Sequence, residues 1–233
     1  MSQRIIVLDT ETTGIDHRQH RLIEIAGVEI ISRQLTGKHF HSYLNPKREI
    51  DPGAQAVHGI TLEFLKDKPL EEDIIDDFIA FITDSDLVIH NAPFDVGFLN
   101  DILIRQHKET LTYHCRRIID TLTISRSLYP GKRNSLDALA ERYQIDNSAR
   151  SKKHGALIDA ELLAQVYLIM TRGQENFDLH SPITNNNKED ISKNRQPILI
   201  RTSPEDQLKH QDYLKNMKKE NNICIWMDLA DKN

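Results

Sequence analysis

Long apolar runs, paired cysteines and a basic excess are all missing from this 233-residue chain. No apolar run approaches the roughly 18 residues that a membrane helix needs, so no transmembrane helix is expected. The opening segment MSQRIIVLDTETTG lacks a signal-peptide pattern, which makes a cytoplasmic location the expectation. The two cysteines, Cys115 and Cys224, lie far apart and form no metal-like pair; they read as free thiols in a reducing compartment. A net charge of −5 argues against gripping nucleic acid by bulk charge alone. Bound cations and local basic segments can still reverse the field where it matters. What remains is 39% hydrophobic and 28% charged residues, enough for a core and one large domain or a domain with an appendage.

Hydrophobic patterning predicts an α/β protein. Residues 5–8 are a β-branched apolar run ending at Asp9, which reads as a buried central strand. Residues 22–31 and 38–44 predict two further strands, with Gly37 at the turn of an antiparallel meander. Residues 70–82 carry Ile74, Ile75, Phe78, Ile79 and Ile82 at helical spacing, with acids in the first turn. A short strand over 87–90 then leads into a helix over 94–106, with Pro93 at its start and Asn91 as its cap. Residues 117–120 predict a fifth strand, and 135–143 and 156–170 predict helices. The order implies a mixed five-stranded sheet flanked by helices. No internal repeats occur.

Composition changes near Gly173, so residues 1–173 read as one domain. Residues 174–196 are poor in apolar groups and contain a triple asparagine, the composition of a flexible linker. Residues 197–233 regain apolar groups at Ile198, Leu199 and Ile200 and again in NNICIWMDLA, around the lone tryptophan, Trp226. A tail of this length is too small for a core of its own and needs a partner surface.

Four acids stand where hydrophobic elements begin or end: Asp9, Glu11, Asp95 and Asp159. Asp9 and Glu11, two apart on a strand end, share a face. A carboxylate cluster repels itself unless cations fill it, and hard divalent cations such as Mg²⁺ prefer oxygen ligands. The chemistry suggested is two-metal phosphodiester cleavage. His154 lies five residues before Asp159, about 140° away on a continuous helix, so Gly155 implies a loop position for it. A histidine there can take a proton from an attacking water. The spacings alone carry little weight, since Asp159-Ala-Glu161 and His90-x4-Asp95 repeat them; Asp9 alone suits a turn and Asp95 a helix start.

The blocks IIVLDTETTG, HNAPFDVGFL and HGALIDAELLA resemble, in order, the three motifs of the DEDDh 3′–5′ exonuclease family. RLIEIAGVEI, VHGIT and PGKRNSLDALAERYQIDNSAR extend the likeness across residues 4–173, toward the branch that proofreads for bacterial replicative polymerases. The ICIW segment is similar more loosely. The resemblance implies a ribonuclease-H-like fold, with Asp9, Glu11, Asp95 and Asp159 holding two divalent ions, Mg²⁺ or Mn²⁺, and His154 as general base. It implies that Thr10, Thr12 and His58, with Asp9, Glu11 and Asp159, meet the DNA 3′ end. Where the family usually carries an acid, this chain has Gly53, which puts one contact to the 3′-hydroxyl in doubt. Lys132, Arg133 and Asn134, and Arg150 with Lys152 and Lys153, are candidates for holding backbone phosphates. The resemblance also implies that the Trp226 tail binds the polymerase subunit. Gln174, Phe177 and Leu179 resemble the short peptides by which replication proteins dock on the sliding clamp, and a small accessory subunit is a further open partner. Rivals are an RNA-trimming exonuclease with the same five residues, and a structural subunit with an idle site.

Overall fold

The computed structural model describes residues 3–148, 150, 154–172 and 203–221. Five strands form one sheet: β1 (Arg4–Thr12), β2 (Leu22–Ile31), β3 (Gln34–Tyr43), β4 (Asp86–Ile89) and β5 (Arg117–Asp120), in the order β3-β2-β1-β4-β5. The first three are an antiparallel meander, while β4 and β5 run parallel to β1. The helices are α1 (Pro52–His58), α2 (Leu62–Leu65), α3 (Glu71–Ile82), α4 (Ala92–Arg105), α5 (Leu111–His114), α6 (Thr121–Leu128), α7 (Leu136–Arg142), α8 (Ala156–Met170) and α9 (Pro204–Asn221).

The period-two alternation of β1 divides the core. Ile5 and Val7 face a cluster containing Leu139, Leu163 and Val166, on the side of α7 and α8. Ile6 and Leu8 face Phe78, Ile82, Leu99 and Leu103, from α3 and α4. Helix α8 packs on β1 and β2 and is apolar nearly all round. Its fully buried Ala160 and Ala164, one helical turn apart, bring its backbone close to the sheet.

Three local expectations are corrected. Gly37 does not turn the β2–β3 hairpin; Ser32 and Arg33 do, both with positive φ (51° and 61°), the signature of a two-residue type I′ turn. The third strand therefore begins at Gln34, and Gly37 (φ 82°) lies inside it, where Thr36, Gly37 and Lys38 oppose the single residue Glu29 in a bulge. Asn91 precedes α4 but does not cap it through its side chain. It takes the left-handed conformation, φ 66° and ψ 52°, and its backbone N–H donates to Asp120 Oδ1 at 3.1 Å.

Chain contacts divide the molecule into Met1–Leu179 and His180–Asn233. The second unit shows helix α9, a charged segment whose Leu208 and Tyr213 are exposed. The expected linker, with Gln174, Phe177 and Leu179, lies outside the described residues, as do Trp226 and Cys224. Cys115 is a buried free thiol. Among the described residues no helix is long and apolar enough to cross a membrane.

Candidate active site

Strand β1 outruns its neighbour. It pairs with β4 only over Ile5–Val7, because β4 ends at Ile89 and the chain turns away at Asn91. Asp9 to Thr12 thus lack a strand on that side, at the carboxyl end of the parallel strands, where open α/β sheets bind ligands. The same alternation that sorts the core sorts the polar groups. Asp9 and Glu11 continue the odd positions of Ile5 and Val7 and meet Asp159, in the first turn of α8. Ligand atoms of Asp9, Glu11 and Asp159 lie within 4.8 Å of one another. Thr10 faces the other way and donates from Oγ1 to Asp95 Oδ1, 2.7 Å away in the first turn of α4. Asp95 therefore stands beside the trio, not within it, although its charge reaches Asp9.

The cluster is electrostatically costly as it stands. Burial, then repulsion from Asp95, Asp159 and Glu11, pushes the Asp9 carboxyl well above the usual carboxylate range. Burial, followed by Asp159 and Glu24, moves Glu11 up to about 8. Asp95 rises to about 7, chiefly through burial, although the Thr10 hydrogen bond pulls it back. Three converging carboxylates are the donor set of a hard divalent cation, so the residues fit that kind of ion.

His154 lies just before α8, as the glycine beside it suggested, with Nδ1 3.5 Å from Asp159 Oδ2. Two features lie outside the expectations drawn from the sequence. Arg150, expected at a phosphate, donates from Nε to Asp159 Oδ1 at 2.7 Å and also pairs with Asp137, so it serves as a counter-ion to the cluster. Glu24, cross-strand partner of Glu11, is buried and bound to His41 Nε2 at 2.8 Å. An acid in the middle of the apolar run LIEIAGVEI was the signal for Glu24. Nothing local signalled the pairing of Arg150.

Thr10, Glu11, Thr12, His58 and Phe94 line a cavity of about 490 Å³, together with Ile15 and Val57 from neighbouring segments. His58 is buried, and its Nδ1 accepts from the Ile60 N–H at 3.0 Å, which leaves the ring proton on Nε2. Gly53 also lines this cavity, and a side chain there would meet open space. Asp51 lines it two residues earlier. Lys152 and Lys153 lie outside the described residues.

An exonuclease family model matches residues 6–167. The chain belongs to the exonuclease family. Within that family it is similar to proteins named DNA polymerase III subunit epsilon. The Rickettsia typhi protein is 45% identical, covering 91% of this chain and 96% of its own. The Salmonella typhimurium protein is 44% identical over 96% and 97%, and one from Buchnera aphidicola of Schizaphis graminum is 46% identical over 94% and 99%. Among solved structures, exonuclease X in complex with 5′-overhanging duplex DNA matches 72% of this chain and 91% of its own, at 27% identity and a TM-score of 0.56. Exonuclease I matches 76% of this chain and 43% of its own at 19% identity and a TM-score of 0.65, a likeness of fold.

The raised carboxylates make a prediction in metal-free solution. Between the ordinary carboxylate range and about pH 8 the folded chain holds more protons than the unfolded one, so its stability falls as pH rises through that window. In EDTA the melting temperature should drop between about pH 5 and about pH 8, and Mg²⁺ or Mn²⁺ should restore it by binding only the folded state. A melting temperature in EDTA that stays level across this window would contradict the cluster's electrostatics.

Proposed function

We infer that the chain is a metal-dependent 3′–5′ exodeoxyribonuclease that removes mispaired 3′-terminal nucleotides as a subunit of the replicative DNA polymerase in the cytoplasm. The observation that carries this reading is the meeting of Asp9, Glu11 and Asp159 within 4.8 Å at the open end of the sheet, with His154 alongside. In the proposal Asp9, Glu11, Asp95 and Asp159 hold two divalent ions, Mg²⁺ or Mn²⁺. Such ions, when bound, supply a nucleophilic hydroxide and neutralise charge on the departing oxygen.

The protein's own groups do the rest. His154, with Nδ1 toward Asp159, takes the proton of the attacking water at Nε2. The terminal nucleotide enters the His58 cavity, its base and sugar against Ile15, Val57 and Phe94 and its 3′ end against Thr10 and Thr12. Arg150 offsets the charge of Asp159 until the cations arrive. Mismatch selectivity follows from fraying: an unpaired end reaches the cavity without the cost of unstacking a paired one.

The test is a 3′-labelled primer, matched or mispaired, incubated with Mg²⁺, with Mn²⁺ and with EDTA. Faster release from the mispaired end, abolished by EDTA, is the expected result. Equal or faster trimming of an RNA primer would favour the exoribonuclease alternative.

Residues 197–233 are proposed to bind the polymerase subunit through Trp226, with residues 174–196 tethering the nuclease near the primer end. Truncation after Gly173 should leave activity on free single strands intact and abolish stable association with the polymerase. Trp226→Ala should weaken that association by about 2 kcal/mol or more, because buried aromatics dominate interface energies. Co-purification of the truncated chain at full-length affinity would overturn the assignment. Gln174, Phe177 and Leu179 are proposed to dock on the sliding clamp, and their triple alanine variant should lose clamp affinity in a direct titration. A small accessory subunit on residues 1–173 completes the proposed set of partners.

A further inference from the structure

The acidic cluster borders two cavities that share no lining residue. Glu11 lines the His58 cavity. Arg150, hydrogen-bonded to Asp159, lines a second one of about 700 Å³, together with His90, Asn91, Arg126, Lys132 and Asn134. The two differ in chemistry. The first carries exposed apolar side chains such as Ile15 and Val57, while the second, among the described residues, has no acidic lining residue and three charged cations, Arg126, Lys132 and Arg150.

Two of those cations are uncommitted. Arg150 is tied to Asp137 and Asp159, but neither Arg126 nor Lys132 forms an ion pair among the described residues. Arg133, which the sequence grouped with Lys132, is instead 3.9 Å from Glu141 and does not line the cavity. The nearby acid Asp120 is occupied: its oxygens accept from the Asn91 and Leu122 N–H groups and from Thr123 Oγ1. Asn134, 8% exposed, donates from Nδ2 to the Tyr129 and Lys132 carbonyls. Its Oδ1 is buried with no hydrogen-bond partner among the described residues. Uncommitted cations lining an open cavity suit the phosphate anion of a nucleotide.

The position decides which phosphate. With the terminal nucleotide in the His58 cavity and the scissile bond at the carboxylates, the chain 5′ of that bond leaves past Asp159, beside Arg150. We propose that the second cavity holds the phosphodiester next upstream of the scissile bond, gripped by Arg126 and Lys132. This inference rests on the 3′–5′ exonuclease reading and extends it to a second subsite. It accounts for how a chain with a net negative charge holds an anionic strand: the basic groups are concentrated where one phosphate must pass.

The test uses the full chain, as wild type, Arg126→Ala/Lys132→Ala and Arg126→Glu/Lys132→Glu. Two substrates separate the subsites: the p-nitrophenyl ester of thymidine 5′-phosphate, which has no upstream phosphate, and a short oligothymidylate. Hydrolysis of the ester should be unchanged in both variants. KM for the oligothymidylate should rise about tenfold or more with kcat held, and more in the Glu variant. The slope of log KM against log salt should shrink by about 0.7 for each phosphate that the variant no longer neutralises, which a merely structural role would not produce. Wild-type KM and salt slope in the variants would overturn the subsite. Inactivity of the wild type on both substrates would instead overturn the exonuclease reading; oligothymidylate binding measured without turnover still decides the cavity, and equal affinity in wild type and variants refutes it.

Discussion

Asp9→Asn should reduce hydrolysis to below about one part in 10⁴, a loss of about 5 kcal/mol of transition-state stabilisation. The amide keeps the shape of the side chain and removes the charge, so the fold should persist while the cation loses a ligand that faces both Glu11 and Asp159. The same variant should be more stable than wild type in EDTA near pH 7, because the burial and the repulsion from Asp95, Asp159 and Glu11 that oppose ionisation of the Asp9 carboxyl no longer count against the fold. The opposed signs matter. A substitution that merely damaged the fold would lower activity and stability together. Thermal melts in EDTA alongside single-turnover hydrolysis at saturating Mg²⁺ read both quantities, and full activity in the variant would sink the assignment of Asp9.

His154→Ala should slow turnover by roughly two to four orders of magnitude, the range of general-base catalysis. Its ring approaches the cluster at Asp159, with Nδ1 3.5 Å from Oδ2, and it lies on the segment before α8, not within the helix. Removing it should leave KM and Mn²⁺ affinity close to wild type. If calorimetry showed Mn²⁺ binding abolished along with activity, His154 would be a ligand and the proton would need another acceptor.

Much of the scaffold is legible in local pattern. Residues 22–31 and 117–120 become β2 and β5 with the expected bounds, because segments centred on isoleucine and valine and flanked by polar residues leave few alternatives. The helices α3 and α4 declare themselves through apolar spacing over three or more turns, and α8 through an apolar segment too long for a strand. The short helices α1, α2 and α5 leave no such mark, since four to seven residues hold too little of a 3.6-residue period to detect. Helix α9 is hidden for the opposite reason: it is long, but its charged sequence has no apolar stripe to reveal it. The hairpin misleads because Gly37 looks like the turn, while Ser32 and Arg33 supply the two positive φ values without any glycine.

The candidate site divides along the same line. Sequence by itself determined its members: the acids at element ends, the histidine ahead of a glycine, and the family motifs that contain them. Their grouping was decided by tertiary structure. Because β1 overruns β4 and alternates its faces, Asp9 and Glu11 join Asp159 beneath α8, whereas Thr10 turns to Asp95 beneath α4. Arg150 as counter-ion, Glu24 behind Glu11, and the two cavities of opposite chemistry are likewise properties of packing. Each depends on residues from separate strands and helices meeting at one end of the sheet, and spacing along the chain records no such distance.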